Sequence, residues 1–268
     1  MPKAVTARID KLLSSMGYGS RSEIGRLARA GRITLDGAKP VDVTSRITVD
    51  ADLPARLSVD DAPLDPVAGM VILMNKPAGV TCSHSEAGPL VYGLLPQRWR
   101  QRDPVLSTVG RLDKETSGLL LLTDDGDLLH RIISPRRKVS KTYRATLARP
   151  LNGDEAALFA SGDLMLKGET KPLDPAVLEI LSPTEALLTI TEGRYHQVRR
   201  MFAPAAIMSR RCIVRAWGSC ACRMIWRRFL EAARGGGSAA GLSVGCSRPE
   251  PGRTGFDPEV LWRPGVFP

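Results

Sequence analysis

Between residues 70 and 191 the chain keeps returning to short apolar or β-branched runs, "MVILMN", "GLLLLT", "KTYRATL", "AVLEI" and "ALLTIT", with polar loops between them. Each run has strand length, and a strand leaves its backbone N–H and C=O groups to be paired by neighbours, so the runs call for a shared sheet. The runs at 176–180 and 186–191 are joined by "LSPTE", a loop of hairpin length. Helical spacing falls near 127–133, 153–161 and 195–202. The mixture predicts an α+β domain around a mainly antiparallel mixed sheet flanked by helices. With 268 residues and 43% hydrophobic content, the chain can fill one large core and one small one. There is no GxGxxG and no Walker A sequence, so the chain gives no support for a nucleotide cofactor.

The first 50 residues follow a different pattern. Ile9, Leu12, Leu13 and Met16 recur at helical spacing, and "GYG" then supplies residues that tolerate left-handed backbone. "SRSE" opens a second helix with a capping box, in which Ser20 accepts from the backbone and Glu23 reaches back. Ile24, Leu27 and Ala28 face inward, leaving Arg21, Arg26, Arg29 and Arg32 toward solvent. "RITLDGAKPV" predicts a strand, a tight Asp36-Gly37 turn and a returning strand. The helix pair, hairpin and arginine face resemble an S4 RNA-binding domain. The S4-like domain is placed at 1–62, a Pro-rich linker at 63–69 and the sheet domain at 70–203. Residues 204–268 form an atypical basic tail.

The formal net charge is +10, which suits a polyanionic partner, yet the excess is uneven. Residues 204–268 hold 10 Lys or Arg against 4 acids, while residues 1–203 hold 28 against 24, so charge alone says little about nucleic acid. No run reaches the roughly 18 to 20 apolar residues of a membrane span, and "MPKAVTARIDK" lacks a signal-peptide core. The expectation is a cytoplasmic protein with no membrane partner. Cys82 stands apart from Cys212, Cys220, Cys222 and Cys246, and no Cys/His spacing suggests a metal site.

Four motifs follow in order: "NKPAG" at 75–79, "GRLDKETSGLLLLTDDG" at 110–126, "KTY" at 141–143 and "EGRYHQVRRMF" at 192–202. Together they resemble the RsuA/RluB family of ribosomal-RNA pseudouridine synthases, most nearly the RsuA type that modifies small-subunit 16S rRNA. The resemblance implies isomerisation of a uridine in RNA, without cofactor or metal. It also implies rRNA or a pre-small-subunit particle as partner, and a monomer.

By that resemblance Asp113 is the nucleophile, attacking either ribose C1' or uracil C6. Its neighbours alone would make it a solvated turn residue. A desolvated carboxylate needs a fixed cation to stay charged, and Arg199 matches the family's basic residue in that role. Tyr143, otherwise an ordinary half-buried strand residue, matches the Tyr that stacks on the flipped base. Arg111 matches the residue that fills the gap left by flipping. Lys141 lies on Tyr143's strand face and could pair with carboxylate or phosphate. Lys76 is a candidate phosphate contact, and the basic segment with Arg136 and Arg137 is expected to track RNA. Neither His130 nor His196 is a family catalytic position; His196 is read as a structural or RNA-contact residue.

After Ala203 the resemblance stops, where the family continues with a Gly-Asn-His-type turn and a strand that closes the sheet. The remaining 65 residues hold ten arginines, no lysine, four of the five cysteines and three of the four tryptophans. Codons compatible with "PAAIMSRRC", read one base earlier, encode "GGNHVEALH", so a displaced reading frame accounts for the break. The alternatives are a genuine basic extension and a catalytically impaired RNA-binding protein. Loss of the closing strands predicts an open sheet edge, costing several kcal/mol against a stability of roughly 5 to 15. A carboxylate glycosidase would need a second acid, for which Asp124 and Asp125 are available.

Overall fold

A computed structural model describes residues 5–67, 69–203, 209–217 and 220–221, with backbone alone for the residues beyond 203. The N-terminal module comprises β1 (Thr6–Arg8), α1 (Ile9–Ser15), α2 (Arg21–Arg29), β2 (Ile33–Leu35), β3 (Arg46–Thr48), α3 (Leu53–Arg56), β4 (Leu57–Val59) and β5 (Ala62–Pro63). Ile9, Leu13, Met16, Ile24 and Ala28 from the two helices meet Ile33, Leu53 and Leu57 in one small core. α2 begins as expected: the Ser20 side chain accepts from Glu23 N–H, and Glu23 accepts from Ser20 N–H at 2.7 Å.

The hairpin is only half present. Asp36 and Gly37 do adopt positive φ, but Leu35 forms a single bridge to Ala38 and the ladder ends there. Pro40 has no N–H to donate, so a returning strand would lose a bond where it most needs one. β2 instead pairs antiparallel with β4, while β1 pairs with β3.

The larger core belongs to one mixed sheet. Its elements are β6 (Val71–Lys76), α4 (Gln97–Arg100), β7 (Ser107–Thr108), β8 (Thr116–Thr123), α5 (Gly126–Ile133), β9 (Lys141–Leu147), α6 (Glu155–Ser161), β10 (Val177–Ser182), β11 (Glu185–Ile190), α7 (Gln197–Phe202), β12 (Ser209–Trp217) and β13 (Cys220–Ala221). The strand order is β10-β11-β9-β12-β8-β6, with β13 on β12 and β7 on β8. Every pairing is antiparallel except β12 with β8. Leu120, Leu122, Tyr143, Ala145, Leu188, Phe159 and Phe202 lie in the core beneath it. The expected open edge is thereby corrected for residues 209–217. Their backbone forms a central strand, with Val214 opposite Tyr143 on one side and Gly118 on the other. Both ladders of that strand use main-chain groups, which any non-proline sequence can supply. Residues 204–208, 218–219 and 222–268 lie outside the described set.

The two cores are joined by a strap. Asp65 is buried and accepts from Arg98 Nε at 2.6 Å, Arg98 Nη2 at 2.9 Å and Trp99 Nε1 at 2.9 Å, while its own N–H donates to Tyr18 Oη at 3.0 Å. Arg98 also covers the Tyr18 ring, 4.8 Å from its centroid. Asp103 N–H reaches Ser15 C=O at 2.8 Å. A Cβ on Gly17 would stand 2.0 Å from the Arg98 carbonyl, so the module seats against the 96–103 segment only because that residue is glycine.

Candidate active site

β8 begins at Thr116, and the turn before it carries Asp113. Leu112 is buried in the larger core and anchors that turn, while the Asp113 side chain is 26% exposed. The adjoining strand β6 ends at Lys76, whose position follows from strand parity. Ile72, Met74 and Lys76 alternate onto the buried face, and Lys76 has no exposed surface.

A buried ammonium needs acceptors, and the turn provides them. Lys76 Nζ lies 3.0 Å from Pro77 O, 3.2 Å from Asp113 O, 3.2 Å from Lys114 O and 2.7 Å from Thr116 O. Gly79 N–H adds a bond to Lys114 O at 2.8 Å. "NKPAG" thus clamps the main chain of the Asp113 turn. The phosphate-contact expectation for Lys76 is corrected: its amine is wholly inside the protein. Burial pushes its pKa down from the ordinary lysine value, partly opposed by Cys82, Glu115 and Asp113.

His196 lies beside the Asp113 carboxylate, Nε2 to Oδ1 at 3.5 Å. It caps α7 with left-handed backbone, φ 49° and ψ 33°, a conformation that a non-glycine residue holds only when its surroundings impose it. The surroundings are a polar truss. Arg194 pairs with Glu192 at 3.0 Å and Glu169 at 3.4 Å, Arg200 pairs with Glu169 at 2.9 Å, and Gln197 bridges Arg194 N–H and Glu192. Arg200 also donates to Tyr195 O at 3.1 Å. Arg199, expected to be the counter-charge of Asp113, is exposed on α7 and makes no ion pair among the described residues. The side chain beside the Asp113 carboxylate is His196.

Tyr143 is buried in mid-sheet, opposite Leu188 on β11 and Val214 on β12. Gly118 lies two strands away in the same register row, about 10 Å across by ordinary strand spacing. Lys141 donates from Nζ to Glu192 O at 3.2 Å, tying β9 to the His196 loop, and burial lowers its pKa despite the nearby Glu192 charge. Arg111 is exposed and ion-paired with Glu86 at 2.9 Å, an exposed contact worth at most about 1 kcal/mol and easily exchanged.

Of the N-terminal arginines, Arg21 is paired with the buried Asp10 at 3.0 Å, Arg26 faces Glu23 at 3.8 Å and Arg32 is held by Asp60. Arg29, Arg136 and Arg137 are exposed with no ion pair among the described residues. The acids that a glycosidase would need are spent on structure. Asp124 is buried against Arg102 at 2.9 Å and accepts from Gly69 N–H, and Asp125 caps α5 through Leu128 N–H.

The comparisons decide the family. The family model described as RNA pseudouridylate synthase matches residues 70–204, and the S4 domain model matches residues 7–42. The chain belongs to the RNA pseudouridylate synthase family. It is similar to the ribosomal small subunit pseudouridine synthase A of Escherichia coli strain K12, with 40% identity over 73% of this chain and 82% of that protein. The Vibrio cholerae counterpart is 40% identical over the same shares. A solved structure described as a pseudouridylate synthase superposes with a TM-score of 0.53 and 34% identity, covering 80% of this chain and 90% of the other.

In this synthase, sequence reasoning missed three things: the burial of Lys76, the position of His196 beside Asp113, and the Glu169–Arg194–Arg200 truss. Lys76 was detectable from parity with Ile72 and Met74. The truss had no signal, because Glu169 is remote in sequence from the arginines it binds.

Proposed function

We propose that the synthase converts one uridine of small-subunit 16S rRNA, free or in a pre-small-subunit particle, to pseudouridine, acting as a cytoplasmic monomer without a cofactor. The observation that carries the reading is Asp113: a partly buried carboxylate on the turn before β8, its main chain held by Lys76. The similarity to small-subunit synthases supports the choice of rRNA.

A stacked uracil is out of reach, so it is flipped out at a cost of a few kcal/mol, and Arg111 leaves Glu86 to occupy the vacated stack. Asp113 attacks C1' or C6, the N1–C1' bond breaks, the ring turns and C5–C1' forms. The bond to Asp113 breaks and returns the carboxylate, displaced by C5 in the C1' route or eliminated from C6 in the other; the C5 proton leaves and N1 is protonated, so no atom or electron is gained or lost. Tyr143, which matches the family's active-site Tyr, stacks on the flipped base and takes part in moving the C5 proton. Arg199, which matches the family's basic residue, supplies the positive charge opposite Asp113 once RNA is seated.

The test is incubation with 16S rRNA, deproteinised or partly assembled, followed by chemical mapping of pseudouridine. Product is expected at one site and none with Asp113→Ala. Binding without product would favour an impaired RNA-binding protein, and product with Asp113→Ala would refute the nucleophile.

A further inference from the structure

Tyr195 has 76% of its surface exposed and is the one aromatic among the exposed large hydrophobic side chains of the described residues. It is not loose. Its ring stacks on His196, centroids 3.9 Å apart and planes 20° from parallel, and its carbonyl is held by Arg200 Nη1 at 3.1 Å. His196 in turn stands 3.5 Å from Asp113. One face of the phenol ring is therefore covered by imidazole, and the other opens to solvent one residue from a site that handles a nucleobase.

The rim is cationic. Arg199 is exposed on α7 one turn further on, and Lys167 and Lys171 are exposed on the segment whose carbonyls receive Arg200 and Arg194. Arg194 and Arg200 are neutralised by Glu192 and Glu169, so the cations left open are those at the rim. An open aromatic face with exposed lysine and arginine on the segments joined to its loop is an arrangement that suits single-stranded nucleic acid, the ring taking a base and the cations its phosphates.

We infer that Tyr195 is a stacking platform for an unpaired RNA base flanking the target uridine, continuing the stack as base, Tyr195, His196. The truss beneath the loop keeps the ring in place before RNA arrives, so little ordering entropy is lost on binding. The inference rests on the RNA-modifying role proposed above.

The test uses the full chain and a 16S rRNA transcript, with wild type, Tyr195→Phe and Tyr195→Ala compared for Kd by filter binding and for KM and kcat by pseudouridine formation. Loss of one base stack predicts that Tyr195→Ala weakens Kd and KM by roughly 5- to 150-fold with kcat little changed. Tyr195→Phe, which keeps the ring, stays within about two-fold of wild type. Unchanged Kd in Tyr195→Ala would overturn the inference, as would Tyr195→Phe matching the alanine variant, or a fall in kcat with KM intact. If wild type binds RNA but makes no product, the function proposal fails while the Kd comparison still answers this one.

Discussion

A lysine ammonium has three protons, and four main-chain oxygens surround that of Lys76, so it shares its bonds across the whole turn that carries Asp113. Replacing it with methionine keeps the volume and leaves those carbonyls short of donors. Lys76→Met is expected to lose about 2 to 3 kcal/mol in urea unfolding, and kcat should fall more than KM rises because the turn relaxes. Lys76→Arg should not rescue it, since a planar fork cannot replace a compact cation in a closed cage. The nucleophile itself was legible in the sequence through its motif. His196 was legible only as a position, because its role depends on a left-handed cap and a truss of residues scattered from 169 to 200. Arg111 and Arg199 were legible as charges. Where each rests before RNA binds, one on Glu86 and one in solvent, was not.

Strands β6, β8, β9, β10 and β11 were readable within a residue or two because each carries its own apolar run. Pairing was less readable. β2 bonds to β4 rather than to the segment after Gly37, a choice made by Pro40 and by the reach of α3, neither of which alters the local pattern. The strap was read as a Pro-rich linker, whereas Asp65 and Tyr18 fasten it across both cores. Gly17→Ala places a Cβ against the Arg98 carbonyl and forces alanine into φ 85°, which alone costs roughly 1 to 2 kcal/mol. Limited proteolysis should then cut within residues 63–67 several-fold faster, and an unchanged cleavage rate would argue against the docking.

Asp10 supplies a pH signature. Burial pushes its carboxyl up, but hydrogen bonds from Arg8, Arg21 and the Lys11 N–H outweigh that and leave it below the ordinary 3.8. Its contribution is complete above that ordinary value and is lost as pH falls through the depressed folded value. Asp10→Asn should therefore flatten the acid side of the stability curve, as urea midpoints between pH 7 and pH 3 would show.

At the scale of the whole molecule, residue 203 is the boundary that matters. The family model ends at residue 204, while the relatives are matched over 82% of their length. The backbone of 209–217 nonetheless occupies the centre of the sheet, where a family strand was expected to be missing. That ladder is made by main-chain groups, which any non-proline sequence of that length can supply. The displaced-frame account makes its own prediction: the gene read one base earlier after codon 203 encodes a family-like continuation, and the chain with that frame restored unfolds at higher urea. A neighbouring frame with no such sequence would refute it. The central claim is tested most directly by mapping pseudouridine in 16S rRNA treated with the chain and with Asp113→Ala. The account predicts a single new pseudouridine with the first and at least a ~1,000-fold loss of rate with the second. Equal product from both proteins would contradict it.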